Sequence, residues 1–181
     1  MRVELAKSAG FCYGVRRAVE MAQQAAESGE RVVMLGPVIH NDHVVAALEE
    51  KGVACLSSVD QIPAGAAVIL RSHGEARAAH EALAAKGCTV IDTACPNVSR
   101  IHRLVQEAEA RGRQPVIIGT PAHPEILAIA GWCRHPVVLE DASALAAWLE
   151  ERPERRDLPL TLVSQTTATR EVWDACIEKA K

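Results

Sequence analysis

Short β-branched runs alternate with alanine-rich amphipathic segments along the whole chain of 181 residues. This alternation constrains the fold more than any other feature, because it predicts parallel strands joined by right-handed crossovers with helices outside. The predicted strands are 3–6, 31–35, 67–71, 89–92, 115–119, 136–139 and 160–164. The predicted helices are 15–27, 42–51, 75–86, 98–111, 142–151 and 169–181. The sequence therefore predicts an α/β fold.

Composition and charge exclude several classes of protein. Hydrophobic residues make up 49% of the chain and charged residues 24%, as in ordinary globular proteins. No apolar run is long enough to span a bilayer and the N-terminus lacks the apolar segment of a signal peptide, so we expect a cytoplasmic protein without a membrane partner. A net charge of −3 and a pI near 6.2 argue against nucleic-acid binding. Six cysteines in such a chain favour metal ligation, catalysis or core packing over disulfides.

Polar residues gather at the predicted carboxyl ends of the strands, where ligands bind in open parallel sheets. A polar residue at one strand end means little, but the repetition predicts that these ends converge on one pocket. The segments are Gly10-Phe11-Cys12-Tyr13-Gly14, Val38-Ile39-His40-Asn41, Ser72-His73-Gly74, Asp92-Thr93-Ala94-Cys95-Pro96, Ala122-His123-Pro124-Glu125 and Gln165-Thr166-Thr167.

The residue types at these ends define the chemistry on offer. Cys12 and Cys95 are soft ligands suited to zinc or an iron–sulfur cluster. Three histidines, together with helix N-termini, can hold an anion through N–H donors. A carboxylate can move a proton and threonine hydroxyls can donate hydrogen bonds. The histidines are His40, His73 and His123, the carboxylate is Glu125 and the hydroxyls are those of Thr166 and Thr167. Together they suggest a metal-bearing pocket for a small phosphorylated substrate.

The residues alone leave simpler interpretations open. Cys12 and Cys95 could be small buried side chains, Glu125 a first-turn charge that satisfies a helix dipole, and Thr166 and Thr167 ordinary caps. The remaining cysteines are predicted to pack in the core, and the remaining histidines to lie at the surface or at caps. Arg16 and Arg17 are predicted to form a solvated face. These predictions concern Cys55, Cys88, Cys133, Cys176, His43, His80, His102 and His135.

Several familiar motifs are absent from the sequence. It contains no Gly-Lys-Ser/Thr phosphate loop, no Gly-x-Gly-x-x-Gly and no Cys-x-x-Cys. Any metal cluster must therefore be assembled from cysteines that lie far apart in the sequence.

At the six segments quoted above, the sequence resembles the 4-hydroxy-3-methylbut-2-enyl diphosphate reductases, iron–sulfur enzymes of the non-mevalonate isoprenoid pathway. Each segment is a weak signal, but six in the same order and spacing are specific. The resemblance implies three pseudo-symmetric parallel-sheet αβα units around a [4Fe–4S] cluster, with two units in this chain and the third missing. Residues 1–12 would form a first strand and cluster loop that joins the absent unit, 13–97 the first unit and 98–181 the second.

The resemblance also implies a role for each matched residue. Cys12 and Cys95 match cluster ligands, His40, His73 and His123 match residues that bind the diphosphate substrate, and Glu125 matches the proton donor. Thr166 matches a threonine that helps to deliver protons and orients the substrate hydroxyl. The implied reaction is the reductive dehydroxylation of this allylic diphosphate to isopentenyl and dimethylallyl diphosphates. Ferredoxin or flavodoxin would supply the electrons.

The chain departs from the family pattern in its length. Family members continue beyond this point, and the continuation carries the third cluster cysteine and a Ser-x-Asn pair; Cys176, in a terminal helix, does not match that ligand. We therefore expect the N-terminal two-thirds of a reductase, weakly active or inactive alone. One alternative is a non-catalytic module that binds diphosphate, or zinc through the three histidines and two cysteines. Another is a truncated product with no independent role.

Overall fold

A computed structural model describes residues 3–4, 6–7 and 9–181. Its helices and strands alternate along the chain, and the strands form two parallel sheets, so the predicted α/β class is correct. The first sheet has the strand order β2-β1-β3-β4. Its strands are β1 (Val32–Leu35), β2 (Ala54–Leu56), β3 (Ala67–Leu70) and β4 (Thr89–Asp92).

The second sheet has the order β6-β5-β7, and both of its strand pairs are parallel. Val116 at its centre pairs with Val137 on one side and Leu162 on the other. Its strands are β5 (Gln114–Ile118), β6 (Val137–Leu139) and β7 (Leu160–Ser164).

Helices connect the strands throughout. They are α1 (Tyr13–Ala26), α2 (Asp42–Glu50), α3 (Arg77–Ala85), α4 (Pro96–Ala110), α5 (Pro124–Ala130), α6 (Ala142–Glu151) and α7 (Arg170–Ala180). Two short 3₁₀ segments, Val59–Gln61 and Pro153–Asp157, complete the connections. In the described part of the chain, no helix combines the length and the apolar character needed to cross a membrane.

The central strands form the core because helices cover both faces of each sheet. All four residues of β1 and of β3 are buried, as are Val116, Ile117 and Ile118 of β5. Helix α1 packs on Met34 and Ile69 through Ala18, Ala22 and Ala25. These alanines recur at helical spacing and carry small side chains, so the helix axis lies close to the sheet.

The two sheets repeat one topology. In each, the first strand is central, the second lies on one side of it and the third on the other. A helix precedes each central strand, and its N-cap is a cysteine, Cys12 for α1 and Cys95 for α4. The loops after the central strands carry His40 and His123. The two α/β units are therefore pseudo-symmetric, as predicted; the boundary between residues 97 and 98 lies within α4 and stays a prediction.

The structure differs from the predicted elements in three places. β2 was not predicted, because Ala54–Leu56 has three residues and none is β-branched. α5 is absent from the predicted helices, because it has only seven residues and begins at Pro124. The predicted strand 3–6 lies partly outside the described residues; Val3, Glu4 and Ala6 belong to no strand, and Val3 is 79% exposed.

Candidate active site

Three imidazoles meet at the carboxyl ends of the strands. The ring centroids of His40 and His73 are 4.5 Å apart, those of His73 and His123 are 5.7 Å apart, and those of His40 and His123 are 6.4 Å apart. His40 and His73 follow strands β1 and β3 of the first sheet, whereas His123 follows β5 of the second. The structure thus joins loops of both sheets in one cluster, which we call the histidine cluster.

Burial keeps the His73 ring neutral. Burial lowers its pKa to about 4, and the charges of His40, His123 and Arg71 act in the same direction. Its Nδ1 atom is buried and lacks a hydrogen-bond partner among the described residues. At neutral pH His73 therefore offers a hydrogen-bonding ring without a charge.

A backbone contact fixes the orientation of His123. The N–H of Glu125 donates to Nδ1 of His123 at 3.1 Å, so that this imidazole is the N-cap of α5. Since Nδ1 accepts, the proton of the neutral ring lies on Nε2. His123 therefore has Nε2–H available as a donor to a ligand.

Glu125 and Thr166 form a hydrogen-bonded pair. The Glu125 side chain is 2% exposed, at the first turn of α5. Its Oε1 accepts from the backbone N–H of Thr166 at 2.6 Å, and its Oε2 lies 2.8 Å from the Thr166 hydroxyl. Thr166 itself is exposed. The pair therefore links a buried carboxyl group to a hydroxyl at the surface.

The interpretation of Thr166 and Thr167 as helix caps is wrong. The N-cap of α7 is Thr169, whose side chain accepts from the N–H of Val172. Thr167 instead accepts a hydrogen bond from Nε2 of Gln165 at 2.7 Å.

Gln165 is a site residue that the sequence reasoning missed. It is 8% exposed, and its Oε1 accepts from the N–H of Thr120 at 3.2 Å, so it joins the loop after β5 to the loop after β7. A Cβ on Gly119 would lie 2.9 Å from the Cβ of Gln165, so only glycine allows this approach. Its position directly after a strand marked Gln165 as a candidate. An uncharged amide beside two threonines gave no reason to single it out.

The N-termini of the two cysteine-capped helices lie against one another. A Cβ on Gly14, in the first turn of α1, would lie 2.6 Å from Sγ of Cys95. Nη1 of Arg17 also donates to the carbonyl of Ala94 at 3.2 Å. Cys12 is exposed and Cys95 is partly exposed, so neither is a buried packing residue. Thiolates are favoured at helix N-termini, which makes both sulfurs suitable as metal ligands.

Arg17 corrects one prediction. Arg16 is exposed, as predicted for a solvated face, but Arg17 is partly buried and bonded to Ala94.

The remaining cysteines are unsuited to ligation. Cys176 is fully buried, and burial raises the pKa of its thiol. Burial raises the pKa of Cys133 to about 11, with Glu109 acting in the same direction, and it also raises that of Cys55. Cys88 is partly buried and contacts the Pro63 carbonyl. Core packing fits these four residues.

The predictions for the remaining histidines are mixed. His43 and His135 are exposed, and His80 is partly buried. The prediction for His102 is wrong, because it is only 6% exposed and its ring stacks on Trp132. Position 102 lies on the face of α4 that also buries Val98 and Val105, so the helix period places it inside.

The donor set offers an incomplete metal centre. Across residues 3–4, 6–7 and 9–181, no three His, Cys, Asp or Glu side chains are placed to hold a metal ion together. A [4Fe–4S] cluster is held by cysteine thiolates, of which Cys12 and Cys95 are the two suited here. The described residues thus offer two thiols at neighbouring helix N-termini and do not by themselves form a preorganised metal site.

The candidate site lies apart from a cavity of about 770 Å³ that α6, α7 and β7 enclose. That cavity is lined by residues such as Arg113, Leu158 and Trp173, and none of the cluster histidines contributes to it. The chemistry-bearing residues instead occupy the open edge where the strands end, which is where an α/β sheet binds ligands.

The sequence also matches the model of a known protein family. The model of the LytB protein family matches residues 3–181. The chain belongs to the LytB family. Proteins named 4-hydroxy-3-methylbut-2-enyl diphosphate reductase are among its relatives. One from Clostridioides difficile is 35% identical over 99% of this chain and 63% of its own length. Another, from Clostridium perfringens, is 36% identical over 98% of this chain and 61% of its own length.

Solved structures share the fold of this LytB-family chain. The E-1-hydroxy-2-methyl-but-2-enyl-4-diphosphate reductase from Plasmodium falciparum superimposes with a TM-score of 0.86 at 23% identity, over 96% of this chain and 54% of that one. A second structure, described as (E)-4-hydroxy-3-methyl-but-2-enyl diphosphate reductase, the terminal enzyme of the non-mevalonate pathway, gives 0.80 at 35% identity. This second match covers 97% of the present chain and 62% of the solved one. The chain thus spans about three-fifths of the relatives that it matches.

Proposed function

We propose that this chain carries the substrate-binding and proton-transfer part of a 4-hydroxy-3-methylbut-2-enyl diphosphate reductase. The observation that carries the proposal is the histidine cluster beside the Glu125–Thr166 pair, which sets anion-binding imidazoles next to a proton source. The names of the relatives support the same reaction.

The histidine cluster is suited to a diphosphate. His123 can donate Nε2–H to the anion, because its Nδ1 already accepts from the N–H of Glu125, and the rings of His40 and neutral His73 lie beside it. The N-termini of α2 and α5 follow His40 and His123 directly, and their dipoles favour the same negative charge. The site can therefore bind an anion although the net charge of the chain is −3.

The Glu125–Thr166 pair is suited to protonating the leaving hydroxyl of the substrate. In the protonated form, Oε2–H of Glu125 donates to Oγ1 of Thr166, and the Thr166 hydroxyl donates its own proton to the substrate oxygen. The C–O bond breaks with its electron pair on the oxygen, which leaves as water, while Thr166 takes a replacement proton from Glu125 and Glu125 becomes a carboxylate. That carboxylate is stabilised by the N–H of Thr166 at Oε1. The allylic fragment then still requires two electrons and one further proton to complete the reduction.

We also propose that Cys12 and Cys95 are two of the ligands of a [4Fe–4S] cluster. When bound, such a cluster supplies the two electrons of the reduction and a Lewis-acid iron for the substrate oxygen. The third thiolate that the resemblance implies has no matching cysteine among the described residues, so we expect the isolated chain to hold the cluster poorly and to turn over slowly or not at all. A cytoplasmic location and reduction by ferredoxin or flavodoxin belong to the same proposal.

Binding and turnover can be tested separately. We expect the chain to bind the substrate and inorganic pyrophosphate in titration calorimetry, and His40→Asn/His123→Asn to weaken both. The matched control is His43→Asn/His135→Asn, which changes two exposed histidines outside the site. Equal affinity in the two double variants would refute the proposed substrate site.

Anaerobic reconstitution with iron and sulfide, followed by counting of both elements and a turnover assay, tests the redox part. A stoichiometric, stable [4Fe–4S] cluster with full turnover would contradict the expected inactivity of the isolated chain. Pyrophosphate binding with no turnover under any reconstitution, including with added polypeptide that completes the length of the relatives, would favour the non-catalytic diphosphate-binding alternative, which the histidine cluster also fits.

A further inference from the structure

The two sheets meet at a second place, beside the histidine cluster. Trp132 follows α5, which belongs to the second sheet, and its indole lies between His80 of α3 and His102 of α4. The ring centroids are 5.4 Å from His80 and 5.2 Å from His102, and the His102 ring is stacked at 21°. Nε1 of Trp132 donates to the backbone carbonyl of Glu75 at 2.8 Å. One side chain thus fastens the end of α5 to the segment that follows β3.

The neighbouring backbone approaches equally closely. A Cβ on Gly131 would lie 2.3 Å from the Cβ of Ala76 and 3.0 Å from its Cα, so a side chain at this position would push α5 away from α3. The carbonyl of Gly131 also accepts from the N–H of Arg77. We call these contacts of Gly131 and Trp132 with residues 75–77 the α5 joint.

Two short segments connect the α5 joint with the histidine cluster. One is α5, and the other runs from His73 to Glu75. α5 has seven residues and is therefore about 10 Å long. His123 and Glu125 lie at its start, and Gly131 and Trp132 at its end. On the other side, His73 is only two residues before Glu75. A displacement at the joint therefore passes directly to the gap between His73 and His123, since a short helix moves as a rigid body.

We propose that Gly131 and Trp132 are positioning residues that set the spacing across the candidate site, between His40 and His73 on one side and His123 and Glu125 on the other. The inference rests on the proposed function for its consequence, because the spacing of the imidazoles determines how a diphosphate is held. The joint does not include the imidazoles themselves, so its effect reaches them through α5 on one side and through the short segment from His73 to Glu75 on the other.

The test uses Trp132→Ala, with Trp148→Ala as the matched control. Trp148 is also partly buried, but it lies in α6 with Arg155 over its ring and far along the chain from the joint. Two readouts are needed: the pKa of His73 from its imidazole NMR signals, and the affinity for inorganic pyrophosphate from calorimetry. A purely structural role would lower the melting temperature of both variants and leave both readouts unchanged.

We expect Trp132→Ala to raise the pKa of His73 from about 4 towards its ordinary value of 6.5, because His123 and the burying contacts move away. Pyrophosphate binding should weaken by about tenfold or more, and Trp148→Ala should change neither readout. Trp132→Phe keeps a ring between the two histidines and loses only the bond to Glu75, so it should fall between the wild type and Trp132→Ala.

A second pair of variants protects the test against misfolding. Gly131→Ala should produce the same two changes, and Gly131→Ala/Ala76→Gly should reverse them in part, because it removes the Cβ at 2.3 Å while the Cα of residue 76 stays 3.0 Å away. An unchanged His73 pKa in folded Trp132→Ala or Gly131→Ala would overturn the inference. If the wild-type chain binds no pyrophosphate, the proposed function fails instead, and the His73 titration still decides whether the joint sets the spacing.

Discussion

Thr166 contacts both carboxyl oxygens of Glu125, with its backbone N–H 2.6 Å from Oε1 and its hydroxyl 2.8 Å from Oε2. Glu125 is 2% exposed, so water cannot easily replace either contact. Glu125 lies in the first turn of α5 and Thr166 lies in the loop between β7 and α7, 41 positions later in the chain. The pair therefore stabilises the second unit and, in the proposed reaction, conducts a proton.

Removing the hydroxyl of Thr166 should show how much its hydrogen bond to Glu125 contributes to stability. Valine removes the hydroxyl and keeps the volume of the side chain. We expect Thr166→Val to lower the free energy of unfolding by about 1–3 kcal/mol, because a buried carboxyl oxygen loses its donor. Thr166→Ser keeps the hydroxyl and should cost less than about 1 kcal/mol. Urea unfolding of the three proteins measures the difference. A loss for Thr166→Val no larger than that for Thr166→Ser would contradict the expected contribution of the hydrogen bond.

Stability should fall in mild acid. Burial lowers the pKa of His73 to about 4, and burial lowers that of His102 to about 4 against the opposing charge of Asp92. The unfolded chain, with ordinary values near 6.5, binds these protons first. The stabilising contribution is therefore present above pH 6.5 and is lost as the pH falls towards 4.

Denaturant unfolding across that pH range measures this loss. His73→Asn should flatten the pH dependence, because one of the two groups is removed, whereas the exposed His43→Asn should leave the slope as it is. A slope that His73→Asn does not change would mean that His73 titrates normally in the folded chain.

Gly14 should resist substitution although it lies in a helix. Alanine there gains up to about 1 kcal/mol of helix propensity, but its Cβ would lie 2.6 Å from Sγ of Cys95. We expect Gly14→Ala to be destabilising by about 1–3 kcal/mol. Combining it with Cys95→Ala should recover much of the loss, and thermal unfolding of the double-mutant cycle measures the coupling. Additive effects would place the two helix N-termini farther apart than described.

Alkylation should distinguish the candidate ligand from the packing cysteines. Cys12 is exposed at a helix N-terminus, whereas the pKa of Cys133 is raised to about 11 and Cys176 is fully buried. Since the thiolate is the nucleophile, we expect iodoacetamide to modify Cys12 well before the other two. Peptide mass spectrometry at short times records the order. Early modification of Cys133 or Cys176 would contradict it.

The sequence predicts the architecture better than it predicts individual contacts. Alternating strand and helix patterns predict the parallel sheets, and a parallel sheet brings its carboxyl ends to one edge, so the meeting of His40 and His73 follows from local patterns. The approach of His123 depends on how the second sheet packs against the first, which no local pattern encodes. β2 and α5 were not predicted, because a strand of three residues and a helix of seven residues that begins at a proline show too little hydrophobic periodicity.

His102 and Gln165 escaped for a different reason. Their positions were visible, on a buried helix face for His102 and at a strand end for Gln165, but their partners, Trp132 and Thr120, are distant in the sequence. No local pattern encodes such a pairing, whereas a strand end or a helix face is visible in a short window of sequence.

The cysteine at the N-cap of α1 and that at the N-cap of α4 occupy equivalent positions of a repeated fold. Each repeat thus places one cysteine at the start of the helix before its first strand, and in the proposed site each repeat supplies one thiolate. In the proposed site, the number of thiolate ligands therefore follows from the number of repeats, and the sheets themselves do not have to change.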